Sequence, residues 1–363
     1  MAKQFRVLDQ LMMSLGDKEA TYDAGPAAWT LGAAFQHFEF GEAVVGWDDK
    51  IVTDKDTVHG SQFATTSEIV RQDARLIYRE PRVRPVHLAG LAALAGGVVA
   101  ATQDGALTAY RHTCTPVAAA VALPSIGFQE KASGEQYKYT GVKLDTFALR
   151  RGGPERAYLE VEVGLIGSGT RAVAADSFPA KVTGGLPLRW GDVKCWLETG
   201  ANISIDATPT QNAENISSAT PDALTSRLLD FEFSHRNDLQ ADDGYAPGGG
   251  AVRTRLDHGP GRGATWKLVL IVDESTLATE RAYYTAQDNV ALEIECYSGT
   301  LIAAGGAMYY GLDLIIPRTR LAGFERGTQE GFNTLTLTGE CMDDGTNAIW
   351  KLHVYNAQSA YLA

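Results

Sequence analysis

The sequence predicts a mainly β protein of two tandem domains, each carrying one short α-helix. Three observations predict it. Apolar and polar residues alternate with period 2 in many short runs. Helical patterns are few. The length of 363 residues corresponds to about two domains at roughly 150 residues each. Hydrophobic residues make up 45% and charged residues 21%, enough apolar material for a packed core.

The elements follow in chain order. Residues 75–78 read as a strand, and residues 85–95 as a helix that starts at Pro85 and stops at Gly96-Gly97. A strand follows at 98–102. Residues 142–149, Val-Lys-Leu-Asp-Thr-Phe-Ala-Leu, alternate cleanly. After Arg151-Gly152-Gly153-Pro154 the alternation resumes, with Tyr158, Glu160 and Glu162 against Leu159, Val161 and Val163. Two such runs across a Gly-Pro turn predict a β-hairpin. Further strands are expected at 228–233, 265–272, 290–297, 312–316, 334–339 and 349–354. A second helix is expected at 275–286, with Ser275 as its N-cap.

The two halves repeat an order of strand, helix, strand, proline-bearing strand and hairpin. Leu149-Arg150-Arg151-Gly152 precedes Phe324-Glu325-Arg326-Gly327 by 175 residues, and the same offset takes Glu155 to Glu330. This predicts an internal duplication with a first domain at 1–190, including an N-terminal arm, and a second at 191–363. Two long polar stretches, 48–60 and 238–263, read as loops.

Composition excludes several functions. Lys plus Arg is 32 and Asp plus Glu is 44, a net charge of −12, of which residues 196–363 carry −11. Such a chain repels nucleic-acid phosphates. The longest apolar run, residues 88–101, is too short for a membrane span of about 20 residues. Residues 1–16 carry Lys3 and Arg6 but no apolar core of a secretory signal, so none is expected. Cys114, Cys195, Cys296 and Cys341 lack metal-ligand spacing and read as reduced, packed thiols. His112 and Cys114 share a strand face, but nothing orients them as a catalytic pair. The glycines of 259–263 precede a strand, not the helix N-terminus that a phosphate cradle needs. Asp343-Asp344-Gly345 reads as a turn rather than a calcium loop. Asn202 and Asn215 stand in glycosylation sequons. No catalytic, cofactor-binding or metal-ligating set can be read, so the expectation is a non-enzyme without cofactor.

An ordered series of segments carries a resemblance. It runs through Pro81-Arg82-Val83-Arg84-Pro85, Thr102-Gln103-Asp104-Gly105, Ala109-Tyr110-Arg111-His112, Leu123-Pro124-Ser125-Ile126, Tyr137-Lys138-Tyr139-Thr140-Gly141-Val142-Lys143-Leu144 and Gly164-Leu165-Ile166-Gly167. This series resembles the tail tube proteins (major tail proteins) of long, non-contractile-tailed bacteriophages. Leu229-Asp230-Phe231-Glu232-Phe233 and the strand ending at Tyr355-Asn356 resemble the second domain of the double-domain members. The resemblance covers about residues 75–360. Asp145-Thr146-Phe147 departs from the Asn-Ser-Leu-like run expected there.

The resemblance implies two β-sandwich or tube-barrel domains and a trimeric, pseudo-hexameric ring, stacked into the tail of a virion assembled in the host cytoplasm. Its implied partners are further copies of itself, a tape measure protein and tail-tip or terminator proteins. Double-stranded DNA would be a non-binding passenger, and no membrane would be involved. For that role Glu160, Glu162, Glu293 and Glu295 are the candidate lumen-facing acids. Asp48, Asp49, Lys50, Asp54, Lys55, Asp242, Asp243, Arg253, Arg255 and Arg262 are the candidate inter-ring loop residues. The alternative is a β-sandwich binding module for carbohydrate or a receptor. It would need an aromatic platform drawn from Trp29, Trp47, Tyr283, Tyr284, Tyr309 and Tyr310.

Overall fold

The computed structural model describes the chain except residues 1–3, 26–35, 38–41, 54–66, 119–120, 176, 182–184, 200–203, 207–208, 218–221, 241–244, 246–250, 273–277, 279–280, 282–283, 286–289 and 363. Strands dominate. In the first half they are β1 (Gln4–Val7), β2 (Gln10–Met13), β3 (Gln36–His37), β4 (Glu42–Thr53), β5 (Ser67–Glu80), β6 (Gly97–Gln103), β7 (Tyr110–Pro116), β8 (Ile126–Ala132), β9 (Glu135–Gly152), β10 (Tyr158–Gly167) and β11 (Arg171–Val173). In the second half they are β12 (Val193–Thr199), β13 (Ser204–Ile205), β14 (Ile216–Ser217), β15 (Asp222–Ala223), β16 (Leu228–Arg236), β17 (Gly263–Ile271), β18 (Val290–Leu301), β19 (Tyr309–Gln329), β20 (Phe332–Cys341) and β21 (Lys351–Asn356). Helix α1 is Pro85–Gly96. Ala278, Arg281, Tyr284 and Thr285 are also helical, within the stretch expected to form the second helix.

Helix α1 forms where the sequence punctuates it. Pro85 sits in the first turn, where its missing N–H costs nothing, and Gly97 ends the helix at φ 87°. Every residue of α1 is buried, which explains a composition of Ala, Leu and Gly with no polar stripe. Its start is tied to β5: the Glu80 carboxylate accepts from Tyr78 Oη, the Arg84 backbone N–H and His87 Nδ1. Its other flanks pack on β7, β9 and β21.

The central feature of the sheet is an uninterrupted antiparallel run. Strand β4 pairs with β5, β5 with β10, and β10 with β9. Strand β16 pairs with β17, β17 with β20, and β20 with β19. Each half therefore contributes a four-strand unit of the same order, one hairpin followed by a second in reverse. The units are joined edge to edge, because β9 pairs with β16 over Thr146–Arg236 to Arg150–Glu232. The offset of 175 residues survives in the turns: Glu155 and Glu330 both adopt left-handed φ, 55° and 53°. The second hairpin of each unit, β9–β10 and β19–β20, also carries a bulge beside a Gly–Thr pair, Gly164–Thr146 and Gly323–Thr338. Bulges bend and twist a sheet.

The sheet then folds back. Strand β19 is long enough to pair with β18 and β21 at its start and β20 at its end. Strand β21 pairs with β7, which returns the C-terminal segment to the first half. One large hydrophobic cluster draws on both halves, including Leu76, Phe147, Leu149, Phe233, Trp266, Leu337 and Trp350.

His235 sits in that core with no solvent exposure. Its Nδ1 accepts from Trp350 Nε1, and its Nε2 donates to Asn237 Oδ1, an arrangement that requires the neutral ring. Burial first, and the Arg262 charge second, push its pKa down to about 4. An unfolded histidine titrates near 6.5, so between that pH and about 4 the unfolded chain binds the extra proton. The His235 share of stability should therefore fall by roughly 3 kcal/mol as pH drops from 6.5 to 4, opposed by the buried carboxyls of Glu293, Glu295 and Asp313, whose pKa values are raised. Urea unfolding across this window checks it. His235→Gln should remove this share, so that variant and wild-type stabilities converge towards low pH, and an unchanged slope would exclude His235 as its source.

Candidate assembly interface

The eight-strand run has two faces. One side packs into the core through Leu76, Tyr78, Phe147, Leu149, Val161, Val163, Phe233 and Leu268. The other carries Arg79, Glu160, Glu162, Arg150, Glu232 and Lys267 in adjacent register. This face is mixed in sign. Arg79 Nε donates to Glu160 Oε1 at 2.7 Å, and Arg150 bridges Glu160 and Glu162. The Glu160 side chain is fully covered by these partners. Despite burial, the bonds from Arg79, Gly153 N–H and Arg150 hold its carboxyl below the usual range.

The four candidate lumen acids therefore separate. Glu162 is partly exposed on this face, although Arg150 compensates its charge. Glu160 lies on the same strand face with its side chain covered by its ion-pair partners, so it offers no free negative charge there. The assignment of Glu293 and Glu295 is corrected. Both are wholly buried, because Asn215 and the paired strands β13 and β14 lie across their side of β18. Asn215 N–H and Nδ2 donate to Glu293 at 2.8 and 2.7 Å. Asp313, opposite Glu295 in register, joins them. Burial raises all three carboxyls, Glu295 to about 8. Alternation in sequence cannot distinguish a solvated face from one covered by a distant segment.

The candidate loop residues also sort differently. Asp48, Asp49 and Lys50 are in strand β4, not in a loop. Charged residues are common on edge strands, so a charged edge strand and a polar loop share one sequence pattern. Asp54, Lys55, Asp242 and Asp243 lie outside the described residues. Arg253 is wholly buried, so it cannot serve as an exposed inter-ring contact. Its guanidinium donates to the Gly167 carbonyl and to Asp73. Arg262 is held by Asn237 Oδ1 and the Val117 carbonyl, and Arg255 is exposed. The described part of 238–263 is thus a strap bound to the sheet. Tyr245 Oη reaches the Gln72 carbonyl, and Lys143 Nζ reaches the Leu256 carbonyl.

The cysteines are free, and burial pushes the Cys114 and Cys341 thiols up to about 12, unsuited to nucleophilic use. Asn215 is buried, so its sequon is inaccessible in the folded chain. Asp343 and Asp344 accept local backbone N–H groups as a turn does. The aromatic residues give no platform among the described residues: Tyr284 packs on Phe324, and Tyr309 and Tyr310 are half-buried. Trp29, Tyr283 and the Trp47 side chain lie outside what is described.

The ends of the run are strand edges. Residues 321–329 of β19 pair with β20 on one side, and among the described residues no strand pairs on the other. At the opposite end, β1 pairs with β4 over Val44–Trp47 and the Leu8 N–H donates to the Ala43 carbonyl, so residues 48–53 have no described strand on that side. An unpaired edge of this length is a template for another strand. No protein-family model and no curated protein matches the chain.

Proposed function

We propose that this chain is a structural tube subunit of the tail-tube type, closing into a ring by pairing β19 of one copy with β4 of the next. The observation that carries this is the β9–β16 junction. It joins two four-strand units of the same order within one chain, and the corresponding strands at the two ends of the run are β19, open over residues 321–329, and β4, which β1 covers over Val44–Trp47. Transferring its register through the two hairpins sets Phe324 opposite Ala43 of the neighbouring copy. That keeps core-facing residues on the core side, as Leu149 and Phe233 are within the chain.

Strand spacing of about 4.8 Å makes three such arcs about 115 Å around, roughly 37 Å across at the backbone before strand tilt widens the ring. The paired bulges supply the bend a closed wall requires. The Arg–Glu face would line the channel. Its balanced charge offers a passing DNA duplex few uncompensated cations to release counterions against, so DNA passes without being gripped. The two tandem units, the trimer, the stacked tube and the virion location are all parts of this reading. Strand β1 occupies the edge that the neighbour would take, so ring closure requires β1 to release β4. Negative-stain electron microscopy of concentrated protein tests the proposal. Rings or short tubes with a central channel and threefold symmetry are expected; a monomer at all concentrations would overturn it.

A further inference from the structure

We infer that Glu293, Glu295 and Asp313 form a binding site for a hard divalent cation, of the calcium class, beneath Asn215 and strands β13 and β14. This goes beyond the tube proposal and does not depend on it. The three side chains each offer a carboxylate oxygen within 4.8 Å of the others, and all three are wholly buried. Glu293 and Glu295 stand two residues apart on one face of β18, and Asp313 faces Glu295 from β19. Among the described residues no lysine or arginine forms an ion pair with them. Three carboxylates so close repel each other strongly in a buried setting.

Asn215 satisfies part of the set. Its Nδ2 donates to Glu293 Oε1 at 2.7 Å and lies 3.4 Å from both Glu295 Oε1 and Asp313 Oδ2. The remaining oxygens, Glu295 Oε2 and Asp313 Oδ1, are buried without a hydrogen-bond partner. A second observation points the same way. The Tyr297 and Tyr355 hydroxyls are also buried, with no partner beyond each other, on side chains only 5% and 2% exposed. Tyr297 continues the face of Glu293 and Glu295, and Tyr355 reaches the same row through Gly311. The two rings lie against each other, with centroids 5.6 Å apart. Orphaned carboxylate oxygens, with buried phenols continuing the same row of side chains, fit an ion, with or without a bridging water. An all-oxygen donor set selects a hard cation over zinc or copper, and three carboxylates from the protein itself suit calcium better than magnesium, which keeps several waters and takes one or two carboxylates. The bound ion would tie β18, β19 and the β13–β14 pair together.

The test uses the full chain after EDTA treatment and dialysis, titrated with CaCl₂, MgCl₂ or MnCl₂ against KCl of equal ionic strength. Calcium at a hundredfold excess over its Kd should raise Tm by about 3–6 °C. Tb³⁺ should show luminescence sensitised by Trp196, which neighbours Glu293 in register, and by Tyr297. Glu295→Gln and Asp313→Asn should each weaken binding by tenfold or more. A Tm shift matched by KCl, or no shift and no sensitised Tb³⁺ emission at millimolar ion, would overturn the inference. The wild-type titration is decisive by itself, so a variant that fails to fold does not rescue the inference. The readouts need no ring, so a monomeric protein that binds calcium would contradict the tube proposal alone.

Discussion

Phe324→Pro should abolish assembly while leaving the monomer folded. The turn between β19 and β20 has two residues, Glu330 and Gly331, both at positive φ, so Gln329 and Phe332 exchange hydrogen bonds across it. Alternation then aims the N–H groups of Gln329, Gly327 and Glu325 at β20, and those of Thr328, Arg326 and Phe324 at the open edge. A proline with its ring on the open side of an edge strand costs the strand ladder little, and the core packing of the Phe324 side chain is lost equally in an alanine variant. It removes a donor from the inter-subunit ladder and places a ring in its path. Phe324→Ala is the control. It loses the contact with Tyr284 but keeps the N–H, so it should assemble, more weakly. Light scattering on both variants decides the matter, and a proline variant that assembles like wild type would rule out this edge. Removing residues 1–7, by contrast, should speed assembly by freeing β4. The transferred register also sets Glu325 against Glu42 of the neighbour, so added salt should tighten the joint.

The second large effect concerns the strap. Asp73→Ala leaves the Arg253 guanidinium buried without its carboxylate, although the Gly167 carbonyl remains. Removing one member of a buried pair costs about 3–5 kcal/mol. Asp73→Leu combined with Arg253→Met replaces the pair by apolar groups and should recover much of that loss. Chemical denaturation measures both. Limited proteolysis should cut within 238–263 faster in the single variant than in the double. Equal stability of Asp73→Ala and wild type would show that the ion pair does not hold the strap.

Period-2 runs expose the strands in the sequence because one face of each is buried. Pro85 and Gly97 mark α1 because each restricts the backbone at a helix end. The 175-residue offset points to Glu155 and Glu330, which occupy left-handed turn positions in both hairpins. The surroundings of a side chain are not legible in the same way. Glu160 and Glu162 look alike in sequence, yet only Glu160 is enclosed by two arginines. Glu293 and Glu295 have the same spacing again, but a segment some 80 residues earlier covers them. Arg253 looks like a loop cation and is instead the buried anchor of its loop. Each of these depends on a contact distant along the chain, for which local pattern carries no signal.

The β19–β4 joint is the contact on which a closed ring depends. Glu42→Cys combined with Glu325→Cys, oxidised at assembly concentration and run under non-reducing conditions, reads that joint directly. Adjacent strands bring paired residues within disulfide reach. A covalent ladder ending at a closed trimer, absent in either single variant, is the expected result. A chain that remains monomeric after oxidation, or a ladder without closure, would contradict it.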